Sequence, residues 1–183
     1  LRNSSAASDV YKRQELRVNA RNAIIASLLL IGLYISIRFD GYYAIGSLFA
    51  LLHDVFITLG IFVFMNVEIS ISIIAALLTI VGYSLNDTIV IYDRIRENMS
   101  LNPYRDKKKI FNTSLNQTLN RTLVTSLTTL IVVLVLYIYG GDVLQPFSIA
   151  LIIGIILGTY SSIFIASPVT LFLEEKYNIE EED

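Results

Sequence analysis

Asn86 and Asp87 stand inside an apolar run that opens near Ile69 and closes at the charged cluster Asp93, Arg94, Arg96 and Glu97. At about 1.5 Å per residue, a helix would hold them roughly 10 Å inward of that cluster. An ionisable side chain at that depth in a bilayer costs about 2.5–3.5 kcal/mol on insertion scales, so it faces a bundle interior and marks function by default. Arg121 precedes the apolar run 122–139. On antiparallel neighbouring spans it comes within reach of Asp87. A nearby cation favours the charged form of a carboxylate, so protonation of Asp87 and release of Arg121 form a candidate switch. The pair also reads as a fixed structural ion pair, or Arg121 as a residue that only marks the membrane surface.

A second polar pair, His53 and Asp54, sits midway along another apolar run. Its depth again points to function, and the other reading is a helix-packing hydrogen bond that never titrates. Thr122, Thr125, Ser126, Thr128 and Thr129 make a polar stripe whose hydroxyls can bond across helices or line a hydrated path. Gly82 stands near the start of the polar stretch, and Gly154, Gly158, Ser162 and Ala166 recur at four-residue steps. Small residues at that spacing let helices approach closely in lipid, so both sets read as packing positions. Asp93 falls at headgroup depth, where its charge is cheap, and reads as an interfacial anchor beside Arg94 and Arg96.

These residues require membrane helices to hold them. The chain has 183 residues, is 54% hydrophobic and only 16% charged, with a mean hydropathy of +0.61. That is too apolar for an ordinary soluble domain. The expected fold is all-α: a polytopic membrane bundle of five spans at about 20–39, 42–65, 69–91, 122–139 and 143–173, within a unit covering 15–173. Each is near or above the roughly 20 residues that cross a hydrocarbon core. The last is long for one crossing and predicts tilt or an interfacial start near Pro146. Between the third and fourth spans, 94–120 carries Pro103 and Lys107 to Lys109, and its second half places Ile110, Phe111, Leu115 and Leu119 at helical spacing. It reads as an amphipathic segment lying on the membrane. Residues 174–183 form an acidic, solvated tail. Residues 1–14 lack periodicity, resemble translated adaptor sequence and read as unstructured.

Composition excludes several classes. There is no cysteine and a single histidine, so no disulfide framework and no metal centre is expected. No Gly-rich phosphate loop is present, and the basic residues gather in one loop, which disfavours nucleic acid as a partner. That loop holds Arg94, Arg96, Arg105, Lys107, Lys108, Lys109 and Arg121, and the positive-inside rule puts it and the C-terminus in the cytoplasm. Lys12, Arg13, Arg17 and Arg21 then fall outside, against the rule, the first two within the adaptor-like segment. Tyr42, Tyr43, Tyr137 and Tyr139 fit interfacial belts. An intramembrane aspartyl protease is disfavoured, because Tyr139-Gly-Gly-Asp142 has the wrong spacing and lies at the outer surface.

The stretches GYSLNDTIVIYDRIREN at 82–98, NRTLVTSLTT at 120–129 and GTYSSIFIA at 158–166 resemble the SecD/SecF family of protein-export membrane proteins. LLHDV at 51–55 and YISIRF at 34–39 fit as well. The resemblance covers nearly everything from residue 15 onward and implies spans two to six of a six-span subunit, a half of a resistance-nodulation-division-like permease. It implies a SecF-type role in preprotein translocation driven by the proton motive force in the bacterial inner membrane. SecD (separate or fused), the SecYEG translocon and YajC would be partners, along with membrane lipid. The implied coupling ion is H+, or Na+ as in some relatives, with no other cofactor and no enzymatic activity. Asp87 and Arg121 match the family's proton-conducting pair, with Asn86, Thr122 and Thr125 in supporting positions; His53 and Asp54 match a motif without a firm role. The alternative is an ion-coupled small-molecule efflux permease of the same superfamily.

Overall fold

The computed structural model describes the backbone of residues 2–67 and 70–180 and the side chains of 14–15, 18–67 and 70–176. Among the described residues every element is helical. The order is α1 (Arg2–Arg38), α2 (Gly41–Phe64), α3 (Ile71–Leu101), α4 (Lys107–Tyr139), α5 (Gly141–Ser161), a π-helical turn (Ser162–Ala166) and α6 (Ser167–Glu180). α5, the π-turn and α6 follow one another without a break, so the described residues form five helical rods, each long and apolar enough to cross a membrane.

The turns between rods follow from local chemistry. Gly140 alone separates α4 from α5, and Gly141 takes φ +69, a left-handed value that a side chain resists. Asn66 ends the α2 turn at φ 54, a conformation that asparagine tolerates better than most residues. Ser70 caps α3 by accepting the Ile73 amide at 3.4 Å, and Asp106 caps α4 by accepting that of Lys108 at 3.0 Å. Each satisfies an amide that the first helical turn would leave without a partner.

Burial is inverted relative to a water-soluble protein. Asp54, Thr58, Ser84, Asp87, Thr88, Thr122, Ser161 and Ser162 are all buried, while Leu29, Ile37, Phe56, Phe64 and Val132 are exposed. Backbone polar groups are bonded within helices, many short polar side chains turn inward, and large apolar side chains face outward as well as filling the interior, as a hydrocarbon solvent allows. α3 lies at the centre, packed by α2, α4 and α5, with α1 against α2. Two apolar clusters fill the interior. One gathers Ile35, Phe39, Tyr43, Leu51, Tyr92 and Ile95 toward the end with the α3–α4 turn, and the other Phe62, Ile73, Leu77, Ile80 and Ile155 toward the opposite end.

Several expectations need correction. The segment 94–120 is no separate surface helix: α3 continues to Leu101 and α4 starts at Lys107. Two facing polar rows hold this hairpin together, with the Asn98 amide donating to Ser114 Oγ at 2.8 Å and to Gln117 Oε1 at 2.9 Å. The segment 1–14 is helical from Arg2 on, since no proline or glycine interrupts it before Gly32. Glu174, placed in a solvated tail, is buried, and Lys107 Nζ reaches its carboxylate at 3.2 Å. Lys108 pairs with Glu175 at 3.7 Å, so the two cations draw the first tail residues onto α4. Tyr43 leaves the aromatic belt for the core, edge-on to Tyr92 at 4.8 Å. The turn at 66–68 and residues 181–183 lie partly or wholly outside the described residues.

Small residues set the closest approach. A Cβ on Gly154 would collide with the Ile80 side chain, and one on Gly158 would stand 2.9 Å from Ser84 Cβ. Gly82, expected to pack, is exposed with nothing within 4 Å of a Cβ, because α3 turns it away from its neighbours. The expected outcome is that Gly154→Ala destabilises the bundle by about 1–3 kcal/mol through overpacking. Gly82→Ala leaves stability unchanged or raised by about 0.5–1 kcal/mol. Reversible unfolding in mixed micelles measures both.

Candidate functional site in the membrane bundle

Besides Glu174 near the C-terminus, two carboxylates, Asp54 and Asp87, are buried among the described residues, and different helices hold them. Asp87, one turn beyond Ser84 on α3, is 2% exposed and faces α4. Its Oδ2 accepts from Ser126 Oγ at 3.4 Å, a long contact, and Ser126 Oγ is 2.7 Å from Thr159 Oγ1 of α5. α4 and α5 each place a hydroxyl at this point because Ser126 and Thr159 occupy their inward-facing strips. Asp87 is therefore lightly held.

Arg121 is brought to the same region but not into contact. Among the described residues no ion pair joins it to Asp87. It is exposed and lines a cleft of about 540 Å³ between α3 and α4, together with Asn86, Asp93, Arg94, Glu97, Gln117 and Thr118. Three ionic side chains besides Arg121 line this space, so water can occupy it. Asp93 is committed elsewhere: Arg38 Nη2 donates to its Oδ1 at 3.0 Å, tying α1 to α3. Arg94 bonds Gln117 Oε1 and Glu97 Oε2, each at 2.6 Å.

The expected supporting threonines sit beside Asp87 without serving it. Thr125 Oγ1 bonds back to the carbonyls of Arg121 and Thr122 at 3.0 and 2.9 Å. Thr122 is buried, and its hydroxyl has no hydrogen-bond partner among the described residues. Ser126 takes the place expected for them. Asn86 is exposed on the cleft side.

Asp54 is the better-held carboxylate. It is fully buried where α2, α3 and α5 meet. Ser84 Oγ donates to its Oδ2 at 2.6 Å and Ser161 Oγ at 2.7 Å, while His53 Nδ1 stands 3.1 Å from Oδ1. Next to this clasp, Ser162 Oγ meets Thr88 Oγ1 at 2.8 Å. The π-turn starts at that serine, and Ser167 Oγ answers the Ser162 carbonyl at 3.0 Å. Further inward, Tyr92 OH meets Thr170 Oγ1 at 2.8 Å beside Gly46, where a Cβ would strike Thr170. Ser84, Ser161, Thr88, Thr159 and Gly46 escaped the sequence reading; the four-residue step from Ser84 to Thr88 is the signal that could have found two of them.

The family model described as protein export membrane protein SecD/SecF, C-terminal, matches residues 7–176. The chain belongs to the SecD/SecF family. It is 50% identical over 169 residues to the protein translocase subunit SecF of Rhodothermus marinus, covering 89% of this chain and 55% of that protein. A crystal structure of SecDF in a super-membrane-facing form superposes with a TM-score of 0.85 at 46% identity, over 92% of this chain and 23% of that one. A second, of the translocon-associated SecDF from Thermus thermophilus, gives 0.84 at 48% identity, over 88% and 22%. The bundle is thus a SecDF-type membrane fold, and the chain spans about half the length of the SecF relative.

The contrast between the two carboxylates gives a stability test. Arg121→Gln changes unfolding free energy by no more than about 0.5 kcal/mol, as at other exposed positions. Asp54→Ala leaves two buried hydroxyls without their acceptor and costs about 1–3 kcal/mol or more. Unfolding in mixed micelles that ranked them the other way would show Arg121 to be a structural residue.

Proposed function

We propose that this chain is the membrane bundle of a SecF-type subunit, which uses the proton motive force to assist preprotein translocation across the bacterial cytoplasmic membrane. The observation that carries this reading is Asp87: a buried, lightly bonded carboxylate on α3, beside an inner cleft that Arg121 lines. A proton entering through the cleft neutralises Asp87 and removes its attraction for Arg121. Deprotonation restores it, so α3 and α4 are biased between two packings. One charge crossing the full potential supplies about 2.3 kcal/mol per 100 mV. That is enough to shift an equilibrium between states a few kcal/mol apart. The same carboxylate would serve Na+ coupling, with H+ as the reading adopted.

Exposure argues for a partner. Asn86 and Arg121 are open to the surface of the isolated chain at or near membrane depth, and polar groups there are costly against lipid. A SecD half, separate or fused, would cover this face, and the SecYEG channel and YajC would complete the assembly. In this reading the basic residues on the facing ends of α3 and α4, with Arg105 in the turn, favour a cytoplasmic position for that hairpin and the C-terminus.

The deciding experiment restores export in cells depleted of their own accessory complex, using the full-length protein that contains this chain together with its SecD partner. Wild type is expected to rescue. Asp87→Asn is expected to insert at the same level and to leave export at the depleted rate; equal rescue by both would remove Asp87 from the mechanism.

A further inference from the structure

The Asp54 clasp is not used by this mechanism, and its geometry is more than packing requires. Both hydroxyls that reach it converge on one oxygen, Oδ2, from two different helices: Ser84 of α3 and Ser161 of α5. The other oxygen, Oδ1, faces only the His53 ring at 3.1 Å. From α3 and α5 Asp54 meets hydroxyls alone; His53, of its own helix α2, is the titratable group that faces it. Asp87, one turn away on α3, points to α4 instead. His53 is the partly open member: its side chain is 29% exposed against 0% for Asp54, and Tyr160 of α5 lies beside it, ring centroids 6.4 Å apart.

We propose that Asp54 and His53 form a second proton-binding site of the bundle, whose occupancy governs how α5 is tied to α2. A neutral histidine carries one ring proton and offers an acceptor at the other nitrogen, so its tautomer can follow the state of the acid. With Asp54 charged, Oδ2 accepts from both serines and Oδ1 accepts the Nδ1 proton. When one proton is taken up from water, it resides on Oδ1 and is donated to Nδ1, with the ring's own proton on Nε2. Only O–H and N–H bonds change, and release returns the same proton to water. Every buried polar atom of the site keeps a partner in both states, which removes the usual penalty for an orphaned group.

The serines read the change. Oδ2 of a neutral acid is a weaker acceptor than that of a carboxylate, because charge-assisted hydrogen bonds are the stronger kind. Ser161 has an alternative within reach, since its Oγ lies 3.2 Å from the Gly158 carbonyl of its own helix. Protonation therefore releases Ser161 to that carbonyl and unties α5 from α2. Ser84 remains the link between α2 and α3. The freed point directly precedes the π-turn at Ser162–Ala166, and such turns are frequent at functional sites.

The site is tested by pH-difference infrared spectroscopy on the full-length protein with its SecD partner in lipid nanodiscs, in an Asp87→Asn background. A titrating carboxylic-acid carbonyl band is expected there, and it is lost when Asp54→Asn is added. That loss separates Asp54 from Glu174, the buried carboxyl at the inner end. Ser161→Ala should move the band's midpoint, whereas Thr159→Ala should not. Absence of the band in the Asp87→Asn protein, or its survival in the double variant, overturns the proposal. Should Asp54→Asn fail to fold, His53→Gln and Ser161→Ala decide, and an unchanged band and midpoint in both overturns it. The export assay judges Asp87 separately, so either site can fail alone.

Discussion

The close approach of α3 and α5 is the constraint on which the interior depends. Ile80 and Ser84 fill the spaces that Gly154 and Gly158 leave open. Only at that separation can short hydroxyl side chains span these two helices, as Ser162 does to Thr88, while Ser161 beside it reaches Asp54 of α2. Apolar surface gives no drive to associate in lipid, so packing and such interhelical bonds must supply it. The glycines thus do two jobs at once: they admit the neighbouring helix, and they bring its hydroxyls within bonding distance of a carboxylate.

Asp54 and Asp87 illustrate how one solvent yields two kinds of buried acid. Asp54 sits where three helices converge and is held by two short serine bonds on Oδ2 and by His53 at 3.1 Å on Oδ1. Asp87 lies near the seam between α3 and α4, with one long contact and an ionic cleft close by. The first environment ties a carboxylate to the packing of three helices, and the second leaves one close to a space that water can enter.

Much of this was legible in the sequence. Long apolar runs broken at Asp40, Asn66 and Gly140 locate the rods, because a bilayer permits few other backbone solutions. Asp54 and Asp87 stand out for the same reason: a charge in an apolar run is conspicuous. Their partners are not. Serine and threonine are common in membrane helices, and Ser84, Ser161 and Ser126 differ from Ser72 or Thr128 only in which way they face. That direction depends on helix rotation, which the wide apolar surface of α4 leaves undetermined. Gly82 misled in the same manner, since a small residue signals packing only if its face is turned inward. Nor does sequence reveal how far α3 and α4 run past the bilayer, because polar residues such as Asn98 and Ser114 continue a helix as readily as they end it.

The π-turn between α5 and α6 has a further effect on register. One residue more than an α-helical turn requires is accommodated there, and each residue of an α-helix advances the face by about 100°. Thr170 and Glu174, both buried, lie downstream of that extra residue on α6. Loss of a single residue between Ser162 and Ala166 would rotate all of α6, carrying Thr170 away from Tyr92 and Glu174 away from Lys107. A one-residue deletion here would therefore act at a distance, on the C-terminal end of the rod, while leaving α5 in place. In length variation among related chains, this short stretch should be the least forgiving part of the last span.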